Sequence, residues 1–172
     1  MSKISDYRSK ELIIRKPSAW KQYFELQADG EKIGSLTHPR LFSSLVVIEM
    51  LGEEWEAYKP SIWRSTFEIR PKGYQLPTAR YVRDGWKLGG TLELPRGERL
   101  KYVKKIWKNI NDVTTLSGKK IISFKNKGIF GVSAVVTIVD PSEIIDRNPW
   151  VVLVVWNVMQ EQKRQARAAR AN

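Results

Sequence analysis

The sequence contains no cysteine and only one histidine among its 172 residues. Without cysteine there is no disulfide framework, no thiolate nucleophile and no zinc or iron–sulfur site built on cysteine. The single histidine, His38, precedes Pro39 in a predicted surface turn and has no partner for a catalytic triad or a zinc ligand set. We therefore expect no cofactor, no metal site and no enzymatic activity.

Long hydrophobic runs are also scarce. The first sixteen residues, MSKISDYRSKELIIRK, lack the apolar stretch of a secretory signal. The apolar segment 150–159, WVVLVVWNVM, would form about 15 Å of helix, half of what a bilayer core requires. We therefore expect no transmembrane span and a cytoplasmic protein that can lie at a membrane surface.

Positive charge is abundant: 30 Lys and Arg face 18 Asp and Glu, and the net charge is +12. Hydrophobic residues make up 42% and include seven tryptophans, which excludes a disordered basic tail protein. The length fits one compact domain. We assign residues 1–17 to an N-terminal extension, whose residues 12–14 are predicted to add an edge strand, and residues 18–172 to a single domain.

Turn signals recur roughly every ten residues, with β-branched and aromatic residues between them. This spacing is typical of an antiparallel meander that closes into a barrel or a sandwich, and it leaves no room for the helices of a parallel α/β fold. The turns are predicted around Gly30, Pro39, Gly52, Pro60, Gly73, Gly85, Gly97, Gly118, Gly128 and Pro141.

The segments between the turns are predicted to be strands. Residues 61–70 alternate so that Trp63, Ser65, Phe67 and Ile69 share one face, while 43–51 and 128–139 are apolar enough to be covered on both faces. Residues 98–110 are also compatible with an amphipathic helix. We favour strands there, with the alternation broken near residues 103–104, because the neighbouring turns are so regular.

The C-terminal segment predicts a helix over about residues 149–170. Asn148 is a candidate N-cap, Pro149 suits the first helical position, and residues 160–171 are mostly good helix formers. Because residues 150–159 are apolar all round, this helix must be surrounded on every face. The predicted fold is therefore mainly β: a closed antiparallel β-barrel of about 10–12 strands around a hydrophobic C-terminal α-helix.

Over residues 18–165 the chain resembles the tubby-like superfamily, which includes tubby C-terminal domains, LURP-one-related proteins and phospholipid scramblases. The similar features are the turn rhythm, the paired segments DGEKIGSL and DGWKLGGTLEL, and the terminal WVVLVVWNVM. The resemblance implies a barrel around a central helix and binding of phosphoinositide headgroups through basic side chains. Scramblase chemistry is disfavoured, because the chain has neither an Asp-rich calcium loop nor a cysteine-rich lipidation stretch.

Positive charge is concentrated in residues 96–127, which carry +8, and at the helix end, residues 160–172, which carry +3. If neighbouring strands bring the first group together, it forms a patch that attracts phosphate groups of lipids or nucleic acids. The alternative is that these charges serve solubility alone. The candidate anion-binding residues are Arg96, Arg99, Lys101, Lys104, Lys105, Lys108, Lys119, Lys120, Lys125 and Lys127.

Other residues have simpler interpretations. Trp63, Trp86 and Trp107 could stack on bases or lie at a membrane, but strand spacing favours core positions for them. Trp150 and Trp156, in the predicted central helix, are expected in the barrel interior. The carboxylate pairs Glu93 with Glu98 and Glu143 with Asp146 are interpreted as surface charge, and Gly89 with Gly90 as a bend or a close approach at a barrel corner. We expect a non-enzymatic domain that binds an anionic partner, with lipid headgroups as the first choice. A structural or protein-interaction module and a nucleic-acid-binding protein are the alternatives.

Overall fold

The computed structural model describes residues 2–40, 43–61, 63–85, 89–129 and 132–171. Twelve antiparallel strands follow one another around a closed barrel, and the last strand pairs with the first, which confirms the predicted fold class. The strands are β1 (Leu12–Arg15), β2 (Tyr23–Ala28), β3 (Glu31–Thr37), β4 (Val46–Met50), β5 (Glu53–Tyr58), β6 (Thr66–Pro71), β7 (Ala79–Arg83), β8 (Gly90–Glu93), β9 (Arg99–Lys105), β10 (Ile110–Thr115), β11 (Lys120–Lys127) and β12 (Ser133–Ile138). The helices are α1 (Glu143–Arg147) and α2 (Val151–Arg170), and short 3-10 segments lie at Ile4–Tyr7, Pro95–Gly97 and Ile106–Lys108.

The barrel interior is filled by α2. Every residue from Val151 to Gln160 is buried, whereas most of the later residues of the helix are exposed. The ring of Trp156 meets Phe24 of β2 edge to face, with 5.6 Å between the centroids. A Cβ at Gly34 of β3 would lie 2.6 Å from the Met50 sulfur and 3.3 Å from the Leu153 side chain, so the strand packs closely against the helix there. The hydrophobic helix is thus the core on which the strands close.

The start of α2 differs from the prediction. Asn148 does not cap α2. Its Nδ2 donates a hydrogen bond of 2.9 Å to the Ile144 carbonyl, and Asn148 is the residue at which α1 ends. Ser142 is the side chain that caps a helix here, through the amide of Ile144. The chain therefore forms one short helix, turns at residues 148–150, and begins α2 at Val151.

The N-terminal segment belongs to the barrel. β1 pairs with β2 on one side and β12 on the other, so it is not the predicted edge strand. Residues 12–15 are part of the barrel wall rather than of an extension. Leu12 and Ile14 are fully buried, which explains why this short strand closes the sheet. The preceding segment is held by Ser5, whose amide and hydroxyl both donate to Asp146 at 2.9 and 2.8 Å.

Residues 98–110 form strands, as predicted, but the break lies further along the chain. β9 keeps its alternation through residues 103–104, with Leu100 and Tyr102 facing inward. The chain turns at residues 106–109, where Asn109 has a φ of 52° in the left-handed region. Asparagine tolerates this conformation better than most residues, so the turn needs no glycine.

The two ends of the barrel differ. One end carries α1 and the N-terminal 3-10 segment. At the other, α2 leaves the barrel and contacts strand ends through Glu161 to Lys59, Gln162 to Tyr102 and Lys163 to Asn126; we call this the exit end. Among the described residues, no helix is long and apolar enough to cross a membrane.

Candidate anion-binding site

The ten basic residues predicted from the sequence do not lie together. Because β9, β10 and β11 run along the barrel, consecutive residues are distributed from one end of it to the other. Lys101 lies between the ends. Arg96, Arg99, Lys119 and Lys120 lie towards the α1 end, and Lys104, Lys105, Lys108, Lys125 and Lys127 lie towards the exit end.

Four of the ten have carboxylate partners. Lys101 contacts Asp84 at 3.0 Å and Lys119 contacts Asp140 at 2.8 Å. Lys105 and Lys120 share one oxygen of Asp112, at 2.9 and 3.3 Å. These pairs reduce the net charge of the outer surface of β9–β11.

Asp112 is fully buried under the two lysines that contact it. Burial raises the pKa of its carboxyl, but hydrogen bonds from Lys105 and Ser123 together with the lysine charges outweigh that effect, so the pKa lies below its usual value. Lys105 and Lys120 are therefore held by a carboxylate that stays ionised at neutral pH, and they are less available for another anion.

A different set of basic side chains converges at the exit end. Lys104 near the end of β9 lies close to Arg83 at the end of β7 and to Lys163 of α2, and Lys163 in turn lies close to Arg167. We call this set the cation cluster; its members are Arg83, Lys104, Lys163 and Arg167.

Lys163 is the most perturbed member of the cation cluster. Burial, then the charge of Lys104, then that of Arg167 lower its pKa to about 8. Its ammonium group donates 3.2 Å to the Asn126 side chain and lies 5.4 Å from the centre of the Trp156 ring. These two contacts hold the ammonium group in a defined position.

Lys104 and Arg83 extend the cation cluster. Burial and the charge of Arg83 lower the pKa of Lys104. A terminal nitrogen of Arg83 donates a hydrogen bond of 3.3 Å to the side-chain oxygen of Gln165. The buried Nε of Arg83 has no acceptor among the residues that the structure describes. Like charges held this close attract an anion, because a phosphate relieves their mutual repulsion.

A cleft of about 520 Å³ opens at the same end. His38 lies on its wall with its Nδ1 3.4 Å from the Gln22 carbonyl, and burial followed by the charge of Arg164 lowers the pKa of this histidine. His38 is thus half-buried rather than a simple surface turn residue. An ion pair between Lys59 and Glu161 crosses the cleft.

The carboxylate pairs considered for acid–base chemistry are held in structural contacts. Glu93 pairs with Arg80, and Arg147 bridges Glu98 and Glu143. Asp146 accepts both hydrogen bonds from Ser5. In the described parts of the chain, no three His, Cys, Asp or Glu side chains are grouped so that they could hold a metal ion.

The prediction of core positions for Trp63 and Trp107 is wrong. Their side chains are 90% and 99% exposed, because both lie beyond the strand ends, in loops at the exit end. Trp86 lies outside the described residues. Trp150 and Trp156 are buried, as predicted.

The predicted close approach at Gly89 and Gly90 is confirmed. A Cβ at Gly90 would lie 2.4 Å from the ring of Tyr81, and one at Gly89 would lie 2.5 Å from the Tyr102 carbonyl.

Sequence reasoning missed most of the cation cluster. Arg83 lies outside the dense basic segment, and nothing in its local sequence distinguishes it. Lys163 and Arg167 were visible as a basic helix end, but the proximity of Lys163 to Lys104 depends on where the helix leaves the barrel. These residues could have been grouped only by knowing which strand ends lie next to α2.

Comparisons with known proteins add information on the fold alone. No model of a protein family matches the chain, and no curated protein matches it. Among solved structures, the X-ray structure of a protein from Arabidopsis thaliana is similar, with a TM-score of 0.60 and 10% sequence identity. The match covers 90% of this chain and 91% of that one, so nearly the whole barrel has a counterpart of the same fold.

Proposed function

We propose that this protein is a non-enzymatic domain that binds the phosphate headgroups of anionic lipids at a membrane surface. The observation that carries the proposal is the cation cluster at the mouth of the barrel, in which burial and like charges lower the pKa of Lys163 to about 8. A phosphate group placed among these side chains would gain several charge-assisted hydrogen bonds. The cytoplasmic surface of membranes is rich in anionic lipids, which suits the expected compartment.

The proposal includes membership of the tubby-like superfamily. A barrel of twelve strands around a hydrophobic C-terminal helix is the architecture that the sequence resemblance implies, and this supports the proposal. The proposed binding residues come from β7, β9 and α2.

Vesicle co-sedimentation tests the proposal. The wild-type protein is compared with the double variant Lys104→Gln/Arg167→Gln, on vesicles of phosphatidylcholine alone and of phosphatidylcholine with phosphatidylserine. Each charge near an anionic surface is worth about 1 kcal/mol, so removal of two should weaken partition to the anionic vesicles roughly 30-fold. Arg96→Gln/Arg99→Gln is the matched control, because it removes two exposed charges near the α1 end.

The outcomes separate the candidate functions. Binding to anionic vesicles that is weakened by the cluster variant and not by the control supports the proposal. Equal binding to both kinds of vesicle, or an equal loss in the control variant, would contradict it. Exposed tryptophans beside basic residues also favour single-stranded nucleic acid as a second candidate. A labelled oligonucleotide bound more tightly than the vesicles, with a steep salt dependence, would favour that candidate instead.

A further inference from the structure

Six loops meet at the exit end of the barrel. In an antiparallel meander every second connection lies at the same end, and the closed strand order brings these six into one ring around the place where α2 leaves. The loops span residues 16–22, 38–45, 59–65, 84–89, 106–109 and 128–132.

Each of the six loops contains one Trp or Phe. In sequence order these residues are Trp20, Phe42, Trp63, Trp86, Trp107 and Phe130. The structure describes the side chains of three of them, and Phe42, Trp86 and Phe130 lie outside the described residues.

The described loop tips point into solvent. Trp20, Trp63 and Trp107 are 94%, 90% and 99% exposed, and Ile129 in the sixth loop is 96% exposed. These are the four most exposed of the large hydrophobic side chains that the structure describes. They come from four different loops, so the apolar groups ring the exit end rather than forming one continuous patch.

The opposite end has a different composition. Its connections include two-residue turns at residues 29–30 and 51–52, and Tyr74 is the one aromatic residue in its strand connections. Tyr74, Leu76 and Leu116 are exposed there, at 65%, 79% and 61%. Scattered exposed hydrophobic residues are normal on protein surfaces, but the four most exposed large hydrophobic side chains that the structure describes all lie at one end of the barrel.

Charge accompanies the aromatic residues. The six loops contain seven Lys and Arg and one acidic residue, Asp84, which is already paired with Lys101. The cation cluster lies in the middle of this ring, at the mouth of the barrel. Indole rings favour the boundary between headgroups and acyl chains, and basic side chains favour the phosphates just outside it. An anionic bilayer surface matches both features at once, whereas a purely apolar protein partner would leave the lysines and arginines unmatched.

We propose that the exit end docks face-on to an anionic bilayer, with Trp20, Trp63 and Trp107 inserted at the headgroup boundary and the cation cluster at the level of the phosphates. This inference rests on the proposed function and adds to it the docking end and the inserted residues. In this orientation α2 leaves the barrel towards the membrane, and the α1 end faces away from it. The mode is interfacial: separate loop tips enter the boundary region and no element crosses the bilayer.

The test uses the triple variant Trp20→Ala/Trp63→Ala/Trp107→Ala and vesicles that contain phosphatidylserine, with and without brominated acyl chains. Bromine quenches tryptophans that reach the acyl boundary, so the wild-type fluorescence should fall on brominated vesicles, while buried Trp150 and Trp156 remain shielded. Loss of three inserted indoles should weaken binding at least about 100-fold. Tyr74→Ala/Leu76→Ala, which removes exposed hydrophobic groups from the opposite end, should bind like the wild type.

The outcomes distinguish this inference from the function on which it rests. Strong binding to anionic vesicles without bromine quenching, and unchanged in the triple variant, would overturn the inserted loops and leave the lipid-binding function standing. No binding of the wild type to anionic vesicles would overturn both. A wild-type dimer that the triple variant converts to a monomer, without quenching, would assign the tryptophans to a contact between copies of the chain. Because the three side chains are exposed, thermal unfolding of the triple variant should match the wild type, which verifies that it folds.

Discussion

Lys163 is a residue whose position lowers the stability of the folded protein. Its ammonium group is half-buried beside Lys104 and Arg167, and its charged form is therefore disfavoured in the folded state. The side chain nevertheless keeps ordered contacts with Asn126 and Trp156. A residue that weakens the fold while being held in a fixed position is typical of a binding site.

Replacement of Lys163 by Met is expected to raise the free energy of unfolding at pH 7, because it removes a half-buried charge and keeps most of the packing. Burial and the neighbouring charges lower the pKa of Lys163 to about 8 in the folded protein, against the ordinary lysine pKa of 10.5 in the unfolded chain. Between these values the unfolded state binds more protons, so the wild-type protein gains stability as the pH rises and the advantage of the variant shrinks. Thermal unfolding from pH 7 to pH 10.5 measures this.

The matched control for this substitution is Lys125→Met on β11, whose side chain is exposed on the outer surface. It should change the melting temperature little at any of these pH values. A lower stability of Lys163→Met at pH 7 would mean that the contacts with Asn126 and Trp156 outweigh the charge repulsion, and the cation cluster would not be strained.

Two tryptophans show where residue-level prediction fails. The alternation that places Phe67 and Ile69 inside the barrel is real, but β6 begins only at Thr66, so Trp63 lies before the strand and is exposed. Trp107 lies likewise in the turn between β9 and β10. Periodicity identifies the inward face of a strand and does not reveal where the strand ends. Aromatic residues within two or three positions of a turn can therefore be exposed.

At the scale of elements, the turns were the most predictable feature. All ten predicted turn positions fall outside the strands and α-helices of the structure, and Gly97 ends the 3-10 segment between β8 and β9. The connection between β9 and β10 was not among them, because Asn109 takes the left-handed conformation there in place of glycine. The start of α2 was placed too early for a related reason: Asn148 before Pro149 is a strong cap signal, but its side chain is already used to end α1.

β1 supplies a prediction at this scale. Deletion of residues 2–16 removes Ile4, Leu12 and Ile14, which are fully buried, and each contributes about 1.5–3 kcal/mol by burial. The sum is comparable to the whole stability of a typical domain. It also leaves β2 and β12 with unpaired edges, which favour aggregation. We expect the truncated protein to lose its cooperative thermal unfolding and to elute as aggregates in size-exclusion chromatography.

A milder substitution tests the contribution of the segment before β1 while the strand itself stays intact. Ser5→Ala removes only the hydroxyl bond to Asp146 and should lower stability by about 0.5–1.5 kcal/mol while the protein stays monodisperse. If the truncated protein unfolds as cooperatively as the full chain, β1 is dispensable and the remaining strands close without it.

At the scale of the whole molecule, the sequence located the charge along the chain but not on the barrel. The segment 96–127 carries +8, yet its residues are spread over the height of the barrel and four of them are paired with carboxylates. The cation cluster draws instead on three distant segments, because α2 leaves the barrel between the ends of strands. The sequence alone does not show that these six loops lie at the same end. That grouping follows only once the antiparallel order of the strands in the closed barrel is known.

The two kinds of side chain at the exit end should act on different steps of membrane binding. Long-range attraction between the basic exit end and an anionic surface accelerates their encounter. When the salt concentration rises from about 0.1 M to about 1 M, the Debye length shortens from about 10 Å to about 3 Å. The association rate constant should therefore fall. Inserted indoles act only after contact, so Trp20→Ala/Trp63→Ala/Trp107→Ala should raise the dissociation rate constant and leave association nearly unchanged. Lys104→Gln/Arg167→Gln should do the reverse, with slower association and a weaker salt dependence. Stopped-flow energy transfer from tryptophan to labelled vesicles measures wild type and the cluster variant. Surface plasmon resonance on immobilised vesicles measures the tryptophan variant, which has lost three of its seven donors. An association rate that is independent of salt would show that the net charge of +12 does not steer this protein to membranes.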